Sequence, residues 1–349
     1  MKSEEPSSEK INVAVVGLGF MGVTHLRAYL DNPAANVVAV CDAARLPVNG
    51  ILQGVAGNVK KTADINLGPE VKVFRQLEEV LAEPEVALVD LCTPTPLHPQ
   101  QAVAALRAGK NVLCEKPLAR TSALARDVLN ALETAPGFLM PAMCMRFWPG
   151  WSWLKEVVEQ KTYGPVLAAR FRRMSEMPAW SKQGTYSAGG DLGGALYDMH
   201  IHDTDFVHYL FGRPEAVFST GQSKDGGPIN HVVTQYVYPG GPTVYAEGTW
   251  LLTQGFHMAY TLHCQGATLD FDLARGPQAM QVTEPGRPSR VVLNDGPDGY
   301  AEEIRYVLEC AQKRQRPTVV TARDGLVALE ICEAEEKSVR SGQAVLLAK

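Results

Sequence analysis

The sequence contains no apolar run long enough to cross a bilayer as a helix. It has no Cys-x-x-Cys, and its seven cysteines are an odd number, so a closed disulfide frame is not what organises it. Cys41, Cys92, Cys114 and Cys264 lie in or beside apolar runs and read as reduced, buried thiols. There is no basic excess. With 33 Lys+Arg against 38 Asp+Glu, the formal net charge of −5 leaves no electrostatic footprint for nucleic acid or an anionic membrane. No repeat of fixed period and no long low-complexity segment is present. The first ten residues, MKSEEPSSEK, lack the apolar core of a signal peptide and read as a disordered tail. Together these features predict a cytoplasmic globular protein.

What is present is concentrated in one stretch, GGDLGGALYDMHIHDTDFVHYL, from Gly189 to Leu210. Asp198, His200, His202, Asp203, Asp205 and His208 fall within eleven positions of it. In a helix Asp198 and His202 sit at i and i+4 and share a face. A carboxylate beside an imidazole orients the ring and raises its basicity, as an acid/base histidine requires. The same residues also fit a plain amphipathic helix, or a metal site built on His-x-His. The rest of the chain has to choose among these.

A length of 349 residues predicts two domains. Ile11–Val16 is a nearly continuous apolar run, as expected of a buried parallel strand. Gly17-Leu18-Gly19-Phe20-Met21-Gly22 follows it and opens a helix, which is the context a dinucleotide-binding loop needs. Gly17 permits the tight turn, Gly19 admits a pyrophosphate, and Gly22 lets helix and strand pack closely. Asp42 ends the second strand twenty residues after Gly22, placed to accept the adenosine ribose hydroxyls and repel a 2′-phosphate. That favours NAD over NADP, with Arg45 nearby as the residue that would serve NADP. Strands and helices alternate to about Met143, predicting a doubly wound parallel sheet, with an irregular insertion from Leu46 to Pro69. Two loops at strand ends, Thr93-Pro94-Thr95-Pro96-Leu97-His98 and Glu115-Lys116-Pro117, should border the cofactor.

These motifs, with AGKNVLCEKPLA and GGALYDMHIHDTDFVHYLFG, resemble the glucose–fructose oxidoreductase / inositol dehydrogenase (Gfo/Idh/MocA) family over nearly the whole chain. The resemblance implies roles at matching positions. Lys116 holds the substrate hydroxyl and stabilises oxygen charge, His202 is the general acid/base, and Asp198 orients the substrate and His202. Thr93, Pro94, His98 and Glu115 lie beside the cofactor with Gly17, Gly19, Phe20, Met21, Gly22 and Asp42. His200 stands where relatives often carry Gly, and this extra imidazole is expected either to face the pocket as a substrate contact or simply to sit in the helix.

After Arg146 the pattern changes to consecutive strands with few helices, predicting an α+β domain with a large, mostly antiparallel open sheet. The expected division is a tail over 1–10, a Rossmann NAD(P)-binding domain over 11–145, and a substrate and oligomerisation domain over 146–349. Arg146, Trp148, Tyr186 and Trp180 are candidates for contact with a sugar ring. The expected function is NAD(P)-dependent oxidation of a secondary hydroxyl of a sugar, polyol or sugar derivative, without a metal, by a homodimer or homotetramer. The rival readings are an NAD-dependent glycosidase with transient redox, a non-catalytic sugar- or nucleotide-binding regulator, and a metal-dependent hydrolase.

Overall fold

A computed structural model describes residues 9–55, 63–178, 193–223, 226–292 and 296–347. The chain divides into two compact units. The first comprises 1–118, 124–144 and 299–322; the second comprises 119–123, 145–298 and 323–349.

In the first unit β1 (Ile11–Val16) leads through α1 (Phe20–Asp31) to β2 (Ala35–Cys41). The stretch after it carries a two-stranded antiparallel ladder, β3 (Ile51–Leu52) with β4 (Ile65–Asn66). Then follow β5 (Lys72–Phe74), α2 (Leu77–Ala82), β6 (Leu88–Leu91), α3 (His98–Arg107), β7 (Asn111–Glu115), α4 (Ser122–Thr134) and β8 (Leu139–Ala142). Six parallel strands lie in the order β5-β2-β1-β6-β7-β8. Strands such as Val13–Val16 and Leu88–Leu91 are buried throughout, which is why they read as unbroken apolar runs rather than alternating ones. The strand order reverses between β1 and β6, and ligands of such sheets bind at the carboxyl ends beside that switch.

In the second unit α5 (Trp151–Glu159) precedes β9 (Val166–Glu176). A π-helical turn, Leu196–His200, runs directly into α6 (Ile201–Phe211). Next come β10 (Ala216–Ser223), β11 (Ile229–Val237), β12 (Thr243–Cys264), β13 (Thr268–Asp272), β14 (Met280–Thr283) and β15 (Arg290–Val291). After α7 (Gly299–Lys313), α8 (Ala322–Ser341) and β16 (Val345–Leu346) complete the chain's elements.

The second sheet is mostly antiparallel, with β9 in its interior. Thr243 and Thr249 pair with Ala168 and Met174, so the first half of β12 runs alongside β9. His257 and His263 pair with Met174 and Ala168, so the second half returns antiparallel along the other edge. The reversal falls near Gly255, whose φ of +83° is one that L side chains rarely adopt. The buried core centres on Trp151, whose ring meets Phe206 of α6 edge-on at 4.9 Å and Tyr260 of β12 at 5.3 Å.

The division departs from the expected one in more than one place; Ala119–Ala123, for example, falls in the second unit. Gly299–Ala322 belongs to the first unit rather than to the second half of the chain. The reason is packing: α7 buries Ile304, Val307 and Leu308 and lies against α1 and β1.

Candidate active site

The glycine loop closes the way its spacing demands. Gly17 has φ +90°, and a Cβ there would lie 2.5 Å from the Cys92 carbonyl oxygen. A Cβ on Gly22 would lie 1.8 Å from the Gly17 oxygen, so α1 reaches β1 only because neither residue has a side chain. Gly19 is the opposite case: it is exposed, with nothing within 4 Å of its would-be Cβ. It is also the N-cap of α1 and makes no side-chain cap bond. Open space over a helix N-terminus is what a pyrophosphate needs, because the first-turn N–H groups and the helix dipole favour an anion there. Phe20 and Met21, the first residues of the helix, are half-buried beside it.

Asp42 closes the loop from the second strand. Its Oδ2 accepts from the Leu18 N–H at 2.7 Å, and its Oδ1 accepts from the Ala44 and Arg45 N–H groups at 2.9 and 2.8 Å. A carboxylate offers about four lone-pair positions, so ribose hydroxyls can still be accommodated. Arg45 donates its guanidinium N–H groups to the carbonyl oxygens of Leu18 and Gln53. The residues of this half fit a bound NAD.

The two strand-end loops are tied together by His98. This ring is buried, and its nitrogens lie 2.7 Å from the Thr93 oxygen and 2.8 Å from the Pro117 oxygen. Burial pushes its pKa down, against the two backbone contacts that push it up. Both ring nitrogens are thus taken up in bracketing the loops, and Thr93 bonds onward to Gln101. Pro94 is exposed beside them. Glu115 is buried, and it accepts the Lys116 backbone N–H at 2.9 Å. From Val112 to Ala119 every residue is buried except Lys116.

The Asp/His stretch of the second unit resolves in a similar way. Asp203 is forked by Arg173 at 2.9 and 3.1 Å, and Asp205 by Arg146 at 2.9 and 2.6 Å. These pairs hold α6 in place from β9 and from the segment before α5. His200 is fully buried, with Nε2 3.4 Å from Glu335 and 3.3 Å from the Tyr236 hydroxyl. A Cβ on Gly248 of β12 would lie 2.6 Å from the His200 Cβ, which accounts for a glycine in mid-strand. His208 lies 3.9 Å from Asp324, and burial lowers its pKa. Across Gly194–Val207 every residue is buried except two, Asp198 and His202. The π-helical turn, a feature that often marks functional sites, contributes Asp198, and the first turn of α6 contributes His202.

Arg146 and His200 therefore sit inside the second unit's own polar network rather than on a ligand-facing surface. Trp148 is half-buried, and Tyr186 and Trp180 lie outside the described residues. The sequence reading passed over His25. It shares the buried face of α1 with Gly22, Leu26 and Tyr29, and an imidazole at helical spacing among apolar residues was the available signal.

A family model described as an oxidoreductase family with an NAD-binding Rossmann fold matches residues 11–142. The GFO/IDH/MocA C-terminal domain model matches 151–270. Levoglucosan dehydrogenase of Pseudarthrobacter phenanthrenivorans is 30% identical over 216 residues, which is 60% of this chain and 53% of that protein. The chain thus spans about half the length of that relative. Myo-inositol 2-dehydrogenase of Thermotoga maritima is 25% identical over 97% of this chain and 98% of its own. A solved levoglucosan dehydrogenase in complex with NADH and levoglucosan superposes with TM-score 0.79 over 98% of this chain and 100% of that one. At 21% identity this last likeness is one of fold.

Proposed function

Because the chain belongs to the GFO/IDH/MocA oxidoreductase family and carries its NAD-binding Rossmann fold, we propose that it is a dehydrogenase acting on a secondary hydroxyl of a sugar, polyol or sugar derivative. The observation that carries this reading is selective exposure. Lys116 in its run, and Asp198 and His202 in theirs, are the residues left accessible where all neighbours are buried. A buried segment keeps a charged side chain at its surface for solvation or for chemistry, and the family match favours chemistry at these three positions. His202 takes the hydroxyl proton, Lys116 offsets charge on the oxygen, and Asp198 orients His202. When bound, NAD supplies the hydride acceptor.

The test is a screen of sugars, polyols and glycosides with NAD, followed by nicotinamide absorbance. Reduction of NAD by at least one polyol or sugar is the expected result. Glycoside cleavage without net reduction would mean transient redox instead. Tight nucleotide binding without any turnover would leave a regulator.

The cofactor preference we propose is NAD. Asp42 ends β2 beside the glycine loop and binds the Leu18 N–H, and Arg45 is occupied by two backbone carbonyls rather than free to meet a phosphate. NAD should bind at least about tenfold more tightly than NADP, or about 1.4 kcal/mol. Asp42→Ala should narrow that ratio and weaken NAD itself, because Leu18 also loses its acceptor. Equal titration curves for the two nucleotides in the unmodified protein would refute the assignment.

We also propose a homo-oligomer built on the outer face of the second sheet. Phe218, Gln235, Tyr245 and Arg170 lie in one register row across β10, β11, β12 and β9. Phe218 and Tyr245 are exposed there, and an aromatic and arginine surface is characteristic of subunit interfaces. Light scattering should give a multiple of 37.9 kDa at micromolar concentration, and a monomer would remove the proposal.

A further inference from the structure

Beneath the strand ends of the first unit lies a largely buried polar cluster that the proposed chemistry does not use. His25 Nδ1 donates to Asp90 Oδ2 at 2.9 Å, and on the other side His25 Nε2 stands 3.4 Å from Glu115 Oε1. The Cys92 thiol donates to Asp90 Oδ1 at 3.3 Å and lies 3.5 Å from His25 Nδ1. Tyr29 of α1 and Tyr300 and Glu303 of α7 complete the surroundings. Among the described residues, His25, Asp90 and Cys92 are the one group of three metal-ligating side chains. Their 2.9 Å N–H···O contact is a hydrogen bond, and the cluster reads as a proton-linked network.

We infer that His25 is a positioning residue for Lys116, acting through Glu115. Glu115 Oε1 faces His25 while Oε2 accepts the Lys116 backbone N–H at 2.9 Å, so the imidazole sets where the lysine leaves the strand. The inference rests on the reading of Lys116 as the residue that meets the substrate hydroxyl. The charge states agree with it. Burial alone would lower His25, but Asp90 and Cys92 bring it well above the ordinary histidine value. Burial alone would raise Glu115, but the neighbouring His25 brings it below the ordinary carboxylate value. Both shifts run toward the charged form of the His25–Glu115 pair.

Such a network is a poor way to stabilise a core. Buried ions pay a desolvation cost, and apolar residues of similar volume often do as well or better. Its location is the informative part. His25 lies six residues after Gly19 on the same helix, about 9 Å along its axis. One rigid element therefore carries the phosphate cradle at its start and the clamp on Glu115 two turns later. Nucleotide and lysine are held in register by α1.

Asparagine and glutamine separate the two contacts of His25. An Asn amide reaches about as far as Nδ1 and keeps the Asp90 bond; a Gln amide reaches about as far as Nε2 and keeps the Glu115 contact. The experiment measures kcat with the sugar or polyol that the absorbance screen ranks fastest, and NADH affinity by nicotinamide fluorescence. His25→Asn and Glu115→Gln should each lose roughly tenfold to a hundredfold in kcat, the scale of a misplaced catalytic group, while NADH affinity stays within about threefold. His25→Gln should lose much less than His25→Asn. A merely structural His25 predicts the reverse order, because Asn keeps the shorter bond; that order, or equal kcat in all three variants, overturns the inference. If Glu115→Gln alone fails to fold, the Asn–Gln comparison still decides. Lys116→Ala is measured alongside. If it is inactive while the His25 and Glu115 variants turn over normally, the inference fails and the catalytic reading stands. If it is fully active, or the screen finds no turnover, the catalytic reading fails and takes the inference with it.

Discussion

Lys116→Ala should bind NAD almost as well as the unmodified protein and turn over at least about a hundredfold more slowly, the loss typical of removing one oxyanion donor. The split between binding and turnover follows from position. Lys116 is the accessible residue at the end of β7, whereas the proposed phosphate cradle is the backbone of the Gly17–Gly22 loop and the start of α1. Losing an interaction made only as oxygen charge develops lowers kcat and leaves ground-state binding alone. His202→Ala should cost a similar factor, within the usual range for one acid/base group, and should erase the acidic limb of the pH–rate profile. Asp198→Asn keeps the shape of the side chain but removes a negative charge that favours imidazolium, so that limb should move to lower pH. The control is His200→Ala. Buried against Gly248 and Glu335, His200 should affect folding rather than the limb. If the limb vanished with His200 and survived the loss of His202, the assigned register of the helix would be wrong.

The parts of this molecule legible in the sequence are those whose cause is local. Gly17 and Gly22 announced a tight strand–turn–helix because a side chain at either would collide with backbone only a few residues away or on the adjacent strand. The parallel sheet was legible because strands buried on both faces, such as Val13–Val16, must be apolar throughout. Asp198 and His202 were legible as an i, i+4 pair. What stayed hidden depended on partners far along the chain. Nothing near His200 says that Glu335 waits 135 residues away, so an imidazole that serves the interior looked available to substrate. Arg146 looked like a pocket residue for the same reason, its partners being Asp205 and Asp324. The irregular 46–69 stretch did conceal a small ladder, too short for any pattern to reveal. In the Asp/His stretch, the sequence showed six titratable groups but not their partners: Arg173 and Arg146 take Asp203 and Asp205 inward, while Asp198, His202 and His208 keep partial exposure.

Arg146→Met should destabilise the protein by about 3–5 kcal/mol, the cost of leaving one buried charge without its partner. Arg146 and Asp205 have side-chain exposures of 2% and 0%, and both donor–acceptor contacts of the fork are formed. The guanidinium also lies 4.4 Å from the Tyr209 ring centre and 3.2 Å from Asp324, so methionine replaces its volume but none of its charge. Asp205 gives the prediction its pH signature. Burial raises its pKa above the ordinary value, and Arg146 is the main influence holding it down. Without Arg146 the folded-state pKa must rise further above the unfolded one. Between those two values the folded protein binds the extra proton, so stability falls as pH rises and returns on acidification. The gap between variant and parent, read from denaturant midpoints, should therefore be widest near pH 7 and shrink toward pH 5. His208 and Asp324 flank the pair and also feel Arg146, so the double variant is what isolates the contribution of Asp205. Arg146→Met combined with Asp205→Leu should recover most of the loss, since no buried charge remains unpaired. A constant gap across that pH range, with no recovery in the double variant, would mean that the fork is not what holds α6 in place.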